Sequence, residues 1–132
     1  MAANRIVLDS GALSAFAREE EAIRVALRRA LADGADVIVP AVVLAESTTG
    51  DARRDAAVNR ILKALTIEPL DEPTARAAGA IRHAQRRRGS GAVDAMVVAC
   101  ADHLLGSTIY TSDPLDLRPL AAERGRSRVV AI

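Results

Sequence analysis

The chain has 132 residues, half of them apolar and 27% charged, with a formal net charge of +1. That composition fits one globular domain, residues 1–132, able to bury its own core, and it excludes a disordered chain. A charge this close to zero sets up no gross field that would announce a nucleic-acid partner. Cys100 is the only cysteine, which excludes a disulfide framework and a cysteine zinc site. Asp9 breaks the one early apolar run, so no signal peptide is expected, and no stretch reaches the ~18 to 20 apolar residues of a membrane span. The expectation is a soluble cytoplasmic protein with no membrane contact. Lys63 is the only lysine. Arginine therefore carries the remaining positive charge, which suits bidentate phosphate contacts and follows equally from a GC-rich genome.

In chain order, short β-branched runs alternate with longer helical patterns. Arg5–Leu8 reads as a strand, followed by helical segments at Gly11–Phe16 and Glu19–Asp33. A second strand at Asp36–Val39 leads through Pro40 into helices at Ala41–Thr48 and Asp51–Ala64. Leu65–Glu68 is the third strand, with helices at Glu72–Arg88 and Val93–Leu105 after it. Thr108–Thr111 and Arg128–Ala131 complete the strands around a helix at Leu115–Arg124. Gly34, Gly50, Gly89, Gly106 and Gly125 stand at or just past helix ends, where a left-handed residue is usually needed. Pro40 and Pro114 suit first helical turns, where a missing N–H is no loss. The stretch Gln85–Gly91 is the most loop-like. This alternation predicts an α/β layer fold with a mainly parallel sheet covered on both faces, and ligands at the carboxyl ends of its strands.

Four acids stand beside apolar runs where such a fold should hold few: Asp9, Glu46, Asp94 and Asp113. A carboxylate near a core costs several kcal/mol unless it is paired or bound to a cation. Asp9 ends the first strand, where it can face a ligand or cap the helix that follows. In a helix, Glu46 would share a face with Val42 and Val43, a poor place for a solvated glutamate. Asp94 lies in the first turn of a helix that is apolar on nearly every side. Capping explains part of that placement, but not a carboxylate on the same stripe as Val97, Val98 and Ala101. Asp113 reads equally as a cap before Pro114, with Asp116 a second acid in the same first turn.

Clustered carboxylates raise one another's pKa unless a cation offsets them. Hard cations such as Mg2+ and Mn2+ prefer oxygen ligands, and a site of that kind can activate water for in-line displacement at phosphorus. No nucleophile–base pair competes with it. Ser10 and Ser112 lack an adjacent histidine, and His83 and His103 have no HExxH spacing. Cys100 sits inside an apolar helix, as a core residue would, and no glycine-rich phosphate loop is present.

Four segments in this order resemble a PIN-domain ribonuclease, and specifically a VapC toxin of a type II toxin–antitoxin system. They are Ile6–Ser10, Val39–Glu46, Val93–Ala101 and Ile109–Pro114, and together they span nearly the whole chain. The resemblance implies a PIN-like three-layer α/β/α fold with a five-stranded sheet ordered 3-2-1-4-5. It implies endoribonuclease chemistry with Mg2+ (or Mn2+), with Asp9 and Asp94 as core metal ligands. Glu46 matches a further catalytic acid, Asp113 the fourth, and Asp116 an auxiliary. It also implies a cognate VapB-like antitoxin that occludes the site, and a homodimer that forms a groove for RNA. Met96-Val97-Val98 departs conservatively from the leucine or isoleucine more usual there.

Phe16 and Tyr110 are the only aromatics, so base stacking has little support and arginine contact with the RNA backbone is the better expectation. Arg53, Arg54, Arg86, Arg87 and Arg88 are the candidates, although solvated helix faces account for them as well. Three other readings stay open. One is a stand-alone PIN nuclease in RNA processing, and another is a non-catalytic interaction domain whose acids are structural. The third is a phospho-acceptor receiver, which Lys63, placed mid-chain, serves badly.

Overall fold

The computed structural model describes residues 4–85, 91–104, 107–123 and 125–132. Five strands form one sheet: β1 (Arg5–Leu8), β2 (Asp36–Pro40), β3 (Thr66–Glu68), β4 (Thr108–Thr111) and β5 (Arg128–Ala131). Every pairing is parallel and the order is β3-β2-β1-β4-β5, as expected. In the central β1 and β2, Ile6 to Leu8 and Val37 to Val39 are all buried. That is why these strands read as unbroken apolar runs: a parallel sheet is covered on both faces.

The chain leaves β1 through α1 (Ser10–Ala17) and α2 (Glu21–Ala32). It leaves β2 through a 3-10 turn (Ala41–Val43), α3 (Leu44–Ser47) and α4 (Ala56–Leu62). From β3 it returns across the sheet through α5 (Glu72–Ala84) and α6 (Ala92–His103), and α7 (Pro114–Ala122) joins β4 to β5. Right-handed crossovers running in opposite directions put α1–α4 on one face and α5–α7 on the other. The packing agrees: α1 meets α2, α3 and α4, whereas α6 meets α5, α7 and strands β1, β2 and β4. Leu13, Ile23 and Leu27 fill one layer, and Ile81, Leu117 and Leu120 the other.

Two expected helices differ in form. Asp51–Ala64 does not run as one helix, because the Asp51 carboxylate draws backbone N–H groups into a turn while Asp55 ties the segment to Thr49 and Gly50. Asp51 Oδ1 accepts from the N–H of Arg53 (2.9 Å) and of Arg54 (3.1 Å), and regular helix begins only at Ala56. Ala41–Thr48 divides into the 3-10 turn and the single helical turn of α3. Pro40 closes β2, in register with Glu68, instead of opening a helix. Gly34, Gly50 and Gly125 do adopt positive φ, at 86°, 82° and 64°. Gly89 and Gly106 lie outside the described residues, as does the expected helix end at Arg88.

Candidate active site

The sheet order makes β1 and β4 neighbours whose chains leave in opposite directions, β1 toward β2 and β4 toward β5. That is a topological switch point, and it opens a crevice at the carboxyl ends of the two strands. Asp9 follows β1 as the N-cap of α1, and Asp113 follows β4 as the N-cap of α7. Asp94 arrives in the first turn of α6, and Glu46 on α3 beyond the end of β2.

Asp9 is buried and both of its oxygens are engaged. The Ala12 N–H donates to Oδ1 at 2.8 Å, and the Thr111 hydroxyl donates to Oδ2. The capping and site-facing readings of Asp9 are thus compatible, since each carboxylate oxygen keeps a further lone pair. Burial raises its pKa above the usual carboxylate value. The bonds from Thr111 and Ala12 oppose that rise, and the charges of Asp113 and Glu46 add to it.

Asp94 is the most perturbed of the group. Its carboxyl is pushed up to about 6, first by burial and then by Asp9, Asp116, Glu46 and Asp113 in that order. Capping does not account for it, because Gly91 is the N-cap of α6 and no side-chain cap bond forms there. Asp113 makes no side-chain cap bond either, so the capping reading fails at this position. Its N–H instead donates to Thr111 Oγ1 at 2.8 Å. Asp116 is raised, chiefly by a hydrogen bond with the Asp113 carboxyl, then by that residue's charge and by burial. Glu46 departs from expectation. It is exposed, because the 3-10 turn before α3 breaks the helical spacing that would have put it with Val42 and Val43. Its charge nonetheless reaches both Asp9 and Asp94.

The other four acids thus act electrostatically on Asp94, and the donor atoms the five offer are carboxylate oxygens only, the chemistry of a hard cation. Among the described residues, no three His, Cys, Asp or Glu side chains stand close enough to hold an ion as placed. Mg2+ needs less than that, since it commonly keeps several waters and takes only one or two carboxylates directly. Asp9 and Asp94 fit that requirement.

Thr111 was invisible as a site residue because a threonine in a strand reads as β-branched filler. It is fully buried and its hydroxyl ties Asp9 to the loop that carries Asp113. Gly11 is a second such residue: a Cβ there would run into Ser112 Oγ, so any side chain at this position requires Ser112 to turn aside. The other candidates stand apart. Cys100 is buried and its thiol is pushed up to about 12, chiefly by burial and then by Glu68 and Asp71, so it is no thiolate nucleophile. His103 Nδ1 lies 3.0 Å from Ala99 O on its own helix, and His83 is exposed on α5. Arg53 and Arg54 are exposed in the turn before α4. Arg86, Arg87 and Arg88 lie outside the described residues.

A parallel five-stranded sheet with a carboxylate-lined crevice at its switch point defines a class of small acidic-site α/β proteins. Residues 6–115 match the PIN domain family, and the chain belongs to it. No curated protein sequence matches significantly. Among solved structures, VapBC2 from Rickettsia felis, bound to a DNA fragment from its promoter, is similar with a TM-score of 0.78. That match has 14% identity and covers 97% of this chain and 98% of the other. DNA-bound VapBC from Salmonella typhimurium matches with a TM-score of 0.73 at 18% identity, over 97% and 98% of the two chains. FitAcB from Neisseria gonorrhoeae matches at 0.65 and 23% identity, over 94% and 95%. Among the described residues, no helix is long and apolar enough to cross a membrane.

Proposed function

We propose that this chain is a VapC-type toxin: a metal-dependent endoribonuclease, held in check by a cognate VapB-like antitoxin. One observation carries the reading. Asp94 has its carboxyl pushed up to about 6 by burial and by four other acids at the switch-point crevice, an arrangement that stabilises no fold and suits a divalent cation. Membership of the PIN domain family supports it, as does the likeness to toxin–antitoxin complexes.

In this reading Asp9 and Asp94 hold Mg2+ (or Mn2+). The bound cation would acidify a coordinated water and offset the charge that develops on the phosphoryl oxygens. Asp9 is oriented for that role by the Ala12 N–H and the Thr111 hydroxyl. Asp116, raised by Asp113 beside it, would hold a proton and pass it to the leaving oxygen. Glu46, exposed and acting electrostatically on Asp9 and Asp94, would orient the attacking water. Arg53 and Arg54, with Arg86, Arg87 and Arg88, would contact the RNA backbone without reading sequence. Residues 1–132 would act as one cytoplasmic PIN domain, paired as a homodimer.

The test is cleavage of a labelled RNA and of a DNA of the same sequence, with Mg2+, with Mn2+ and with EDTA. Cleavage of the RNA alone, only with metal and lost in Asp94→Asn, is the expected result. Equal cleavage by that variant would sink the assignment. Addition of a cognate VapB-like antitoxin should suppress the activity of the wild type.

A further inference from the structure

On the α5–α6 side of the sheet lies a pocket of about 210 Å³ that none of the five acids lines. Its walls are apolar: Pro40, Val42, Leu70, Met96 and Leu104. Its polar groups are of another kind, with Glu68 at the end of β3 and Asp71 at the N-cap of α5 lining it together with Cys100 and His103 on α6. Both carboxylates act on the buried Cys100 thiol and raise its pKa, so their field reaches into this cavity although Asp71 itself is exposed to solvent. Asp71 is held ionised, lowered first by its hydrogen bonds with Thr74 and also by His103. The Thr74 N–H donates to its Oδ1 at 2.9 Å, fixing the side chain as the cap of α5.

In a chain so rich in arginine, neither Glu68 nor Asp71 is ion-paired with an arginine or lysine among the described residues. Apart from His103, whose charge acts on Asp71, no cation among the described residues pairs with the two acids of this apolar slot. The rim is apolar as well: Leu70 is 40% exposed and Ile67, on the edge strand β3, is 42% exposed. Edge strands leave backbone N–H and C=O groups unpaired on their outer side, where an extended segment can lie. The volume is below the ~300–1,000 Å³ of small-molecule sites, and suits one side chain.

We propose that this pocket receives an arginine or lysine side chain from an extended segment of a partner polypeptide. The aliphatic stem packs between Leu70, Met96 and Leu104, and the charged head meets Glu68 and Asp71. This site is independent of the nuclease reading, and the failure of either leaves the other standing.

The test is a titration of the 15N-labelled full chain, read by amide shifts at Leu70, Cys100, His103 and Leu104. The probes are N-acetyl-arginine amide, its neutral isostere N-acetyl-citrulline amide, and spermidine. Saturable shifts with the arginine probe are expected, with citrulline weaker by roughly tenfold, or about 1.4 kcal/mol. Glu68→Gln should weaken the arginine probe by roughly threefold or more while leaving the rest of the spectrum unchanged. No saturable shift, or equal response to citrulline, overturns the proposal. Tighter binding of spermidine overturns the polypeptide source and makes the occupant a free polyamine. Shifts at the same residues on concentrating the protein without any probe would make the occupant a second copy of this chain.

Discussion

Asp94 and Asp55 are the same side chain held in opposite circumstances. Asp55 is only 6% exposed, yet its carboxylate accepts from the Thr49 N–H, the Thr49 hydroxyl and the Gly50 N–H at 2.9 to 3.1 Å. Burial raises its pKa, but the donors from Thr49 and Gly50 outweigh that and the net shift is downward. Among the described residues Asp94 has no such donors to offset its partial burial, it faces four other acids, and its pKa rises. A buried charge surrounded by N–H and O–H groups belongs to the fold, whereas one surrounded by its own sign belongs to a ligand. The two regions diverge in sign, and that divergence can be measured.

The largest effect should follow from Asp94→Asn. Activity should drop by roughly 100-fold or more, as several kcal/mol of transition-state stabilisation are lost. Stability in the absence of metal should move the other way. Asp94 binds its proton more tightly folded than unfolded, so the wild type loses stability as pH rises from about 3.8 to about 6. Above that range the deficit is complete, on the order of 1–2 kcal/mol after solvent screening. Urea denaturation at about pH 7.5 and about pH 3 should therefore show the variant more stable at the higher pH and level with the wild type at the lower. A wild type equal to its variant at both pH values would remove the contrast with Asp55.

Metal should reverse the order. Mg2+ or Mn2+ at about 100 times its Kd would stabilise the wild type by ~2.7 kcal/mol by mass action. The same addition should do much less for Asp94→Asn, read as a shift in Tm. EDTA should return the wild type to its unstabilised value and abolish cleavage.

Asp55→Ala makes the opposite test, since it strands three donors and should lower Tm by several degrees without touching chemistry per folded molecule. Because the folded pKa of Asp55 is lowered, its stabilisation is present above the usual carboxylate value. It is lost as pH falls through the folded value. Wild type and variant should therefore converge in strong acid, where the Asp94 pair has already converged.

Thr111→Val sharpens the comparison within the crevice. It removes the donor to Asp9 and the acceptor for the Asp113 N–H at nearly constant volume, and should cost about 1–3 kcal/mol of stability. Cleavage should fall roughly tenfold, about 1.4 kcal/mol, and Thr111→Ser should restore it. The smallest effect is expected at Gly11. Alanine there meets Ser112 Oγ, the end of a short side chain that can rotate, so the loss should stay near 1 kcal/mol. Ser112→Ala should recover most of it in a double-mutant cycle.

The strands were legible because burial on both faces leaves a continuous apolar run. β1, β4 and β5 begin and end where composition puts them. Asp94 was legible for the converse reason, as a charge in the first turn of a helix that is apolar on nearly every side. Glu46 was misjudged because its spacing assumed one helix, and a 3-10 turn is wound more tightly. Asp55 was passed over inside a charged run that looked solvated, and Asp102 inside the most apolar helix. Asp102 proves to be buried with Ser127 donating to it at 2.7 Å.

Sequence alone determined the alternation of strand and helix, the order of the acids along the chain, and the oddity of Asp94. Each of those is a local property, set by hydrophobic period and by the charge of single residues. Only the tertiary structure decided which acids oppose one another, and that Thr111 joins Asp9 to the Asp113 loop. It alone shows that Glu68 and Asp71 face a pocket away from the crevice. These are meetings between segments far apart in the chain, created by the crossover from β3 back to β4. Their electrostatics depend on burial and on distances that no spacing along the chain encodes.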